Sequence, residues 1–277
     1  DNKSQKDEVV IYFARANILH KEKNYEESSK YIKLANKLKL ILKPSNLDGL
    51  IDKSKMLLIE SNKKDINLKE QATYPESIFI VGMPRSGSTL IESILSMNTN
   101  VYDLGEIDIL EKCFKAWNQA NQEISLADLY LKKTTNYQKE FNITTNKLLY
   151  NYQYAGLISS QMPNAKIIHC YRNPLDNILS IYRAHFAKGN EYSSSLIDGA
   201  NIYLDQETIM TEYKYRFRSK IYDLHYDSLV SNPKEEIKSL ISWLEWKWDD
   251  SYLSPHLNQR SVSTASSVQV RSAINSK

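Results

Sequence analysis

The sequence predicts an α/β protein in which a parallel sheet flanked by helices follows an all-helical segment. Residues 9–60 carry apolar residues at helical spacing and no strand pattern. From residue 78 onward, runs rich in β-branched residues alternate with helical patterns, which is typical of parallel sheets covered on both faces. The polar stretch "SNKKDINLKEQATYPE" separates the two regimes. We therefore expect a helical segment over residues 1–62 and an α/β domain over residues 75–277.

The helical segment resembles a single tetratricopeptide repeat, which is a pair of packed helices. The turn "KEKNYEE" joins two helical patterns, and Ala14 and Ala35 are predicted at the close-packing positions. The other apolar or small residues of this pattern are Ile18, Leu19, Ser28, Ile32 and Leu38. A plain helical hairpin is the alternative. Since one repeat cannot bury both of its faces, we expect it to pack on other repeats or on the next domain, or to contact a protein partner or a second copy.

Three strands are predicted in the α/β domain. They are "IFIVG" from Ile78, "KIIHCYR" from Lys166 and "KIYDLHY" from Lys220. Pro174 and Pro233 open helices after the second and third strands, and Ser231 or Asn232 is the predicted cap of the latter. Ligands of open α/β sheets bind at the carboxyl ends of the strands, so we expect the three loops there to form one site.

The loop after the first strand has the pattern of an anion-binding loop. "GMPRSGST" reads G-x-x-x-x-G-S-T, which differs from the phosphate-binding G-x-x-x-x-G-K-[ST] pattern because Ser88 replaces the lysine. Backbone N–H groups of residues 86–89 would point from the start of a helix whose dipole favours negative charge, and Arg85 adds a cation. The loop therefore predicts a site for a tetrahedral oxyanion.

A second anion site is predicted in "RNPLDNILS". Arg172 ends the second predicted strand, and Ser180 lies about two turns into the following helix, so both can face one anion. Two separate anion sites at neighbouring strand ends are what a nucleotide with both 5′- and 3′-phosphates requires.

Four segments carry a resemblance to sulfotransferases that use 3′-phosphoadenosine 5′-phosphosulfate. "FIVGMPRSGSTLIESIL" resembles their 5′-phosphosulfate loop, and "IIHCYRNPLDNILSIYR" resembles their 3′-phosphate segment. "LHYDSLVSNPKEEIKSLISWL" is similar to a later strand and helix of the family, and "VSTASSVQVRSAINSK" to the loop that folds over the nucleotide. With the helical repeat in front, the sequence is most similar to bacterial tetratricopeptide-repeat sulfotransferases and, beyond them, to tyrosylprotein sulfotransferases.

The resemblance implies binding residues for the donor and for its product, adenosine 3′,5′-bisphosphate. The residues implied for the 5′-phosphosulfate are Arg85, Ser86, Gly87, Ser88, Thr89 and Leu90. Arg172 and Ser180 would hold the 3′-phosphate, and Tyr226 and Arg271 would complete the nucleotide site.

The resemblance also implies the catalytic groups. Glu106 in "VYDLGEID" corresponds to the general base, Lys147 in "TTNKLL" to a lysine that assists the leaving group, and Arg85 to a further cation. Asn146 and Leu148 depart from the Asp-Lys-x-Pro or Lys-Asp-Pro sequence that the relatives usually have around that lysine. A carboxylate suits proton removal from an attacking hydroxyl, and cations stabilise the departing phosphate without a metal. The alternative role of Glu106 is to complement a helix dipole.

Two other function classes are open. One is a P-loop kinase of a small hydroxyl compound, which predicts Mg²⁺ dependence. The other is a catalytically inactive, repeat-based binding scaffold. The acceptor class is also open, since protein tyrosine, carbohydrate and small-metabolite hydroxyls would all suit a carboxylate base.

Composition and cysteine content bear on the partners and the location of the protein. A net charge of +3, from 36 basic and 33 acidic residues, argues against nucleic acid as a partner, and no apolar run approaches the roughly 18 residues of a membrane span. Cys113 and Cys170 lie far apart, which favours a reducing and hence cytoplasmic location, and the five histidines show no metal-ligand spacing. The N-terminus "DNKSQKDEVV" is neither a start Met nor a signal peptide, so we expect a fragment of a longer chain.

Overall fold

The computed structural model contains a five-stranded parallel sheet, and it describes residues 4–62, 76–138, 142–186, 189–258 and 272–274. The strands are β1 Glu76–Gly82, β2 Val101–Asp103, β3 Ile143–Asn146, β4 Ala165–Tyr171 and β5 Ile221–His225. Their order in the sheet is β2-β3-β1-β4-β5, and each neighbouring pair is parallel. The α/β prediction with a parallel sheet is therefore confirmed.

Helices precede the sheet and connect its strands. Those within the described residues are α1 Gln5–Lys21, α2 Tyr25–Leu42, α3 Leu47–Asn62, α4 Ser88–Leu95, α5 Ile109–Gln119, α6 Leu126–Gln138, α7 Ala155–Gln161, α8 Pro174–Tyr182, α9 Leu196–Arg216, α10 Tyr226–Ser231 and α11 Pro233–Trp243. Helices α8 and α11 start at the predicted prolines, and Asn232 is the residue at the N-cap of α11. The fixed φ of proline suits the first helical position, where its missing N–H costs no hydrogen bond.

The central strand β1 is buried on both faces. Phe79 and Val81 belong to one apolar core, which α5, α6 and α7 cover, whereas Ile78 and Ile80 belong to a second core beneath α4, α10 and α11. Successive strand residues point to opposite faces, so a strand covered on both sides needs a continuous apolar run rather than an alternating one. The "IFIV" run of β1 therefore reflects its central position in the sheet.

The sequence pattern does not predict strands β2 and β3, because they are three and four residues long and rich in polar residues. Strand β3 pairs with β1 from Glu76 opposite Ile143, and β2 pairs with β3 from Val101 opposite Ile143. These short sequences do not specify a strand by themselves, and they become extended because their backbones hydrogen-bond to a neighbouring strand.

By its contacts the chain divides into two units, one of residues 1–53 and 173–205 and the other of residues 54–172 and 206–277. In the first unit, α1 and α2 pack through Phe13, Ala16 and Ala35, and the Ser28 hydroxyl donates to the Ala16 carbonyl over 2.8 Å. Ala35 is buried as expected. The expectation for Ala14 is wrong, because Ala14 is exposed and Ala16 occupies the close-packing position. The apolar face of α1 is thus rotated from the predicted one.

In the second unit, charged side chains bridge β4, β5 and α9. Asp223 of β5 accepts from Lys214 over 3.0 Å and from Arg218 over 2.9 Å, and it lies 3.2 Å from Nδ1 of the buried His169. Burial opposes ionisation of this carboxyl, but the hydrogen bonds from His169 and Lys214 outweigh it and hold the pKa of Asp223 well below its ordinary value. His169 is therefore a structural residue of β4, within the predicted strand "KIIHCYR".

The two cysteines are buried thiols and form no disulfide. Burial raises the pKa of Cys113 to about 11 and that of Cys170 to about 12, so both thiols stay protonated and unreactive at neutral pH. Among the residues that the structure describes, no helix combines the length and the apolar composition that crossing a membrane requires.

Replacement of Gly82 by Ala is expected to destabilise the fold. Gly82 has φ +140°, and a Cβ there would lie 2.2 Å from the Cys170 carbonyl oxygen of the neighbouring strand. We expect Gly82→Ala to lower the free energy of unfolding by more than about 2 kcal/mol in urea titrations followed by tryptophan fluorescence. Gly189→Ala is the control, since Gly189 also has positive φ but open space around it, and about 1 kcal/mol is expected there. Equal losses in the two variants would contradict the steric explanation.

Candidate functional site

The loop between β1 and α4 has the backbone shape of an anion cradle. Gly82, Arg85 and Gly87 adopt positive φ angles of 140°, 67° and 89°, which turn the chain sharply between strand and helix. Gly87 is the N-cap of α4 and provides no side-chain cap. The first-turn N–H groups of a helix without such a cap can donate to an anion, and the helix dipole favours its negative charge.

Side chains of the loop have different roles. The Ser86 hydroxyl is fully buried and donates to the Met83 carbonyl over 2.7 Å, so it braces the loop from within. Ser88 and Thr89 are buried in the first turn of α4, with Leu90 after them. The structure thus places the predicted loop residues together and separates a bracing serine from the other donors.

Two arginines from different strand ends lie near each other at this loop. Burial lowers the pKa of Arg85 and the charge of Arg172 lowers it further, against a smaller opposing effect of Tyr226. Arg172 follows β4, and its guanidinium carbon lies 5.0 Å from the centre of the Tyr226 ring, which follows β5. Two neighbouring cations partly removed from water repel each other, and a bound dianion would relieve this repulsion.

Tyr226 also packs against the loop itself. A Cβ at Gly87 would lie 2.3 Å from the Tyr226 ring, so the glycine permits the close approach of β5 to the loop. Arg172 is further held by Asp227, with its Nε 3.6 Å from the carboxylate. The structure therefore brings Arg85, Arg172 and Tyr226 together, and their role in a nucleotide site stays a prediction.

Glu106 and Lys147 meet at the carboxyl ends of β2 and β3. The Leu104 N–H donates to the Thr145 carbonyl over 2.8 Å, and the Lys147 N–H donates to the Gly105 carbonyl over 2.9 Å, so parallel pairing continues past both strands. This pairing places the Lys147 ammonium 2.6 Å from the Glu106 carboxylate. The lysine side chain is 1% exposed and that of the glutamate 49%, so the pair has a buried cation and an accessible carboxylate.

Asn146 stands directly before Lys147, at a position where the expected sequence has another residue, and it is hydrogen-bonded on both sides. Its side-chain carbonyl accepts from the Leu148 N–H over 3.0 Å and from Asn151 over 3.1 Å, and its amide donates to the Ile107 carbonyl over 3.3 Å. A buried amide with both ends hydrogen-bonded fixes the backbone on either side. Asn146 therefore holds Lys147 in place.

One charged residue of the site is missing from the sequence prediction. Glu92 of α4 is buried with its carboxylate 3.7 Å from the Lys147 ammonium, next to the pair that Lys147 forms with Glu106. Its burial, then the charges of Asp103 and Glu106, raise its pKa to about 7 against the opposing effect of Lys147. A single acidic residue within "LIESIL", a stretch that is apolar apart from Ser93, is the signal that could have revealed it.

Two predicted binding residues are not tested by this geometry. Ser180 lies on α8, which belongs to the other unit, and Arg271 lies outside the described residues. Their binding roles, like those of the other predicted site residues, stay predictions from the resemblance. Among the described residues, no group of histidine, cysteine or carboxylate side chains is arranged to hold a metal ion.

Comparisons with known proteins agree with this geometry. Residues 75–250 match the model of the sulfotransferase family. An uncharacterized protein of Aquifex aeolicus (strain VF5) is 34% identical over 220 residues, which are 71% of this chain and 29% of that protein, so the chain spans about three tenths of that relative.

Two solved structures share the fold. The sulfotransferase domain of the Synechococcus PCC 7002 olefin synthase has a TM-score of 0.57 at 18% identity, covering 74% of this chain and 86% of that domain. The sulfotransferase domain from the curacin biosynthetic pathway has a TM-score of 0.53 at 17% identity, covering 73% and 84% of the respective chains. Together with the family match over residues 75–250, the anion loop and the paired carboxylate and lysine lead to one conclusion: the chain belongs to the sulfotransferase family.

Proposed function

We propose that the chain transfers a sulfuryl group from 3′-phosphoadenosine 5′-phosphosulfate to the hydroxyl of an acceptor. The observation that carries this proposal is the 2.6 Å pair of Glu106 and Lys147, next to the helix that begins at the anion loop. A base and a buried cation beside an oxyanion site are the groups that a hydroxyl attack on an activated sulfate needs. A binding scaffold has no need for them.

The residues present fit the donor. Backbone N–H groups at the uncapped start of α4, the hydroxyls of Ser88 and Thr89 and the Arg85 guanidinium form a donor set for the 5′-phosphosulfate. Arg172 and the Tyr226 ring supply a second cation and a flat apolar surface at the neighbouring strand ends. We propose that Arg172 holds the 3′-phosphate, with Ser180 and Arg271 as the further binding residues that the resemblance implies.

When bound, the donor supplies an activated sulfuryl group attached to a phosphate that can leave. Glu106 accepts the hydroxyl proton while the acceptor oxygen forms its bond to sulfur and the bond from sulfur to the bridging oxygen breaks. The electron pair of that bond stays on the departing phosphate, and the Lys147 and Arg85 cations stabilise the charge there. Partial exposure lets Glu106 reach an acceptor, whereas the buried Lys147 acts where water is excluded.

The kinase alternative has weaker support. Ser88 occupies the position of the lysine that grips the phosphates in nucleoside triphosphatases, and β4 continues into Arg172 and Asn173 where a metal-binding Asp would be expected. Protein tyrosine, carbohydrate and small-metabolite hydroxyls are the acceptor classes to compare experimentally.

Binding of adenosine 3′,5′-bisphosphate tests the nucleotide site. Isothermal calorimetry without metal is expected to show micromolar or tighter binding, and Arg172→Ala is expected to weaken it by about 10- to 100-fold, because a charge-assisted contact is lost. Arg218→Ala is the matched control, since that exposed arginine pairs with Asp223 and should leave the affinity unchanged. A preference for ATP with Mg²⁺ would favour the kinase, and no binding of either nucleotide would favour the scaffold.

Replacement of Glu106 by Gln tests the base. Glu106→Gln keeps the size of the side chain but removes its ability to accept a proton, so kcat is expected to fall by about 10²- to 10⁴-fold. Transfer of labelled sulfate to tyrosine peptides, oligosaccharides and small alcohols measures the rate, and calorimetry checks that the bisphosphate still binds.

The matched control for this variant is Glu111→Gln, which removes the carboxylate of a surface pair with Lys115 and should retain full activity. A rate of Glu106→Gln within twofold of the parent chain would exclude Glu106 as the base.

A further inference from the structure

Glu92 is the one acidic residue of helix α4, whose other buried side chains are apolar or carry a hydroxyl. It lies three residues after Thr89 and four after Ser88, so it shares a helix face with the two hydroxyl residues of the anion loop. Ile91 and Ile94 point instead into the core beneath α4. A buried carboxyl on the site-facing side of the helix is energetically costly unless a hydrogen-bond donor or a cation lies near it, so such a group is expected next to Glu92.

The partner of Glu92 is Lys147. One Glu92 oxygen lies 3.7 Å from the lysine ammonium, and the other is buried without a hydrogen-bond partner among the described residues. The charged groups that act on this carboxyl are Lys147 after β3, Glu106 in the loop after β2, and Asp103 at the end of β2, which accepts from the Ser96 hydroxyl over 3.1 Å. Lys147 therefore lies between two carboxylates, a close one on the accessible side and a more distant one on the buried side.

This arrangement matters when Glu106 changes its charge. As a base, Glu106 becomes neutral once it has taken a proton, and its ion pair with Lys147 is then lost. A lysine with a 1% exposed side chain cannot turn to solvent for compensation. An unpaired buried cation is strongly unfavourable. The charge of the departing phosphate, which Lys147 is proposed to stabilise, leaves with the product, so a second negative group of the chain itself would preserve the charge and position of the ammonium.

We infer that Glu92 is the second counter-ion of Lys147. Glu92 becomes the ion-pair partner of the lysine ammonium when Glu106 receives the acceptor's proton. This inference rests on the proposed function, because it needs Glu106 to act as a base. Glu92 acts through Lys147 and does not touch the reacting atoms, so it is a positioning residue. Its ionised form is the productive one, since only that form can balance the lysine charge.

Titration of Glu92 by carboxyl ¹³C NMR tests the pairing without any nucleotide or activity. Its signal is assigned by its loss in Glu92→Gln, and the pKa in the parent chain should be about 7. Glu106→Gln imitates the neutral base, so we expect the pKa of Glu92 to fall to about 6 or below as the ammonium pairs with it. In the double variant Glu106→Gln/Lys147→Met the pKa should rise above that of the parent chain.

The double variant separates the two causes of that change. Removing the Glu106 charge alone would also lower the pKa, but only the ammonium explains a rise when Lys147 is lost as well. The same pKa in the single and the double variant would overturn the inference. Glu111→Gln, the control on the surface of α5, should leave the titration of Glu92 unchanged.

The pH dependence of kcat tests the role in turnover. In the parent chain kcat should rise with pH through about 7 as Glu92 ionises, whereas Glu92→Gln should lack this rise and be about 10-fold slower at pH 8, with KM for the donor unchanged. An unaltered pH profile in Glu92→Gln would overturn the inference.

We expect the Glu92→Gln variant to fold, so that its kinetics can be interpreted. A raised pKa means that the protonated carboxyl suits the fold and that stability is lost as pH rises toward about 7, so a neutral Gln should be tolerated. Failure of the proposed function would appear separately, as a parent chain that neither binds the bisphosphate nor transfers sulfate while the NMR titration still reports on the pairing.

Discussion

The site depends on the central position of β1 in the sheet. Hydrogen bonds to β3 on one side and β4 on the other fix β1 at its full length, so the chain must leave the sheet through the tight turn at Gly82. Burial of both faces holds this strand in register, because a slip would expose apolar side chains. The anion loop and the residues after the neighbouring strands therefore share one edge of the sheet.

Helix α4 serves the site twice. Its start, where Gly87 provides no side-chain cap, presents backbone donors and a positive dipole end to an anion. Its second turn carries Glu92 toward Lys147, on the same face as the hydroxyls of the first turn. One short helix thus connects the proposed donor site with the proposed base. Because the groups are buried and a few ångströms apart, a change of charge at one of them alters the electrostatic energy of the other.

The charged groups of this region are not arranged as in an ordinary stable core, where each buried charge has a close opposite charge. Arg85 lies near the like charge of Arg172, and Lys147 shares two carboxylates of which one has a raised pKa. Such groups are costly in a folded chain and become useful when a charged ligand binds or a proton moves. The Asp223 cluster contrasts with them, because its hydrogen bonds satisfy the carboxylate and lock β4 to β5.

The sequence by itself determined the fold class, the strands β1, β4 and β5, and the glycine turn after β1. Runs of β-branched and aromatic residues and a glycine-bounded loop are visible in the local sequence without knowledge of their neighbours. Tertiary structure alone decided β2 and β3, whose few residues become ordered only by pairing with a neighbour. It also decided the buried face of α1, and it brought Glu92 to Lys147 across 55 positions of the printed sequence. Contacts between distant segments depend on packing and register, which no local pattern encodes.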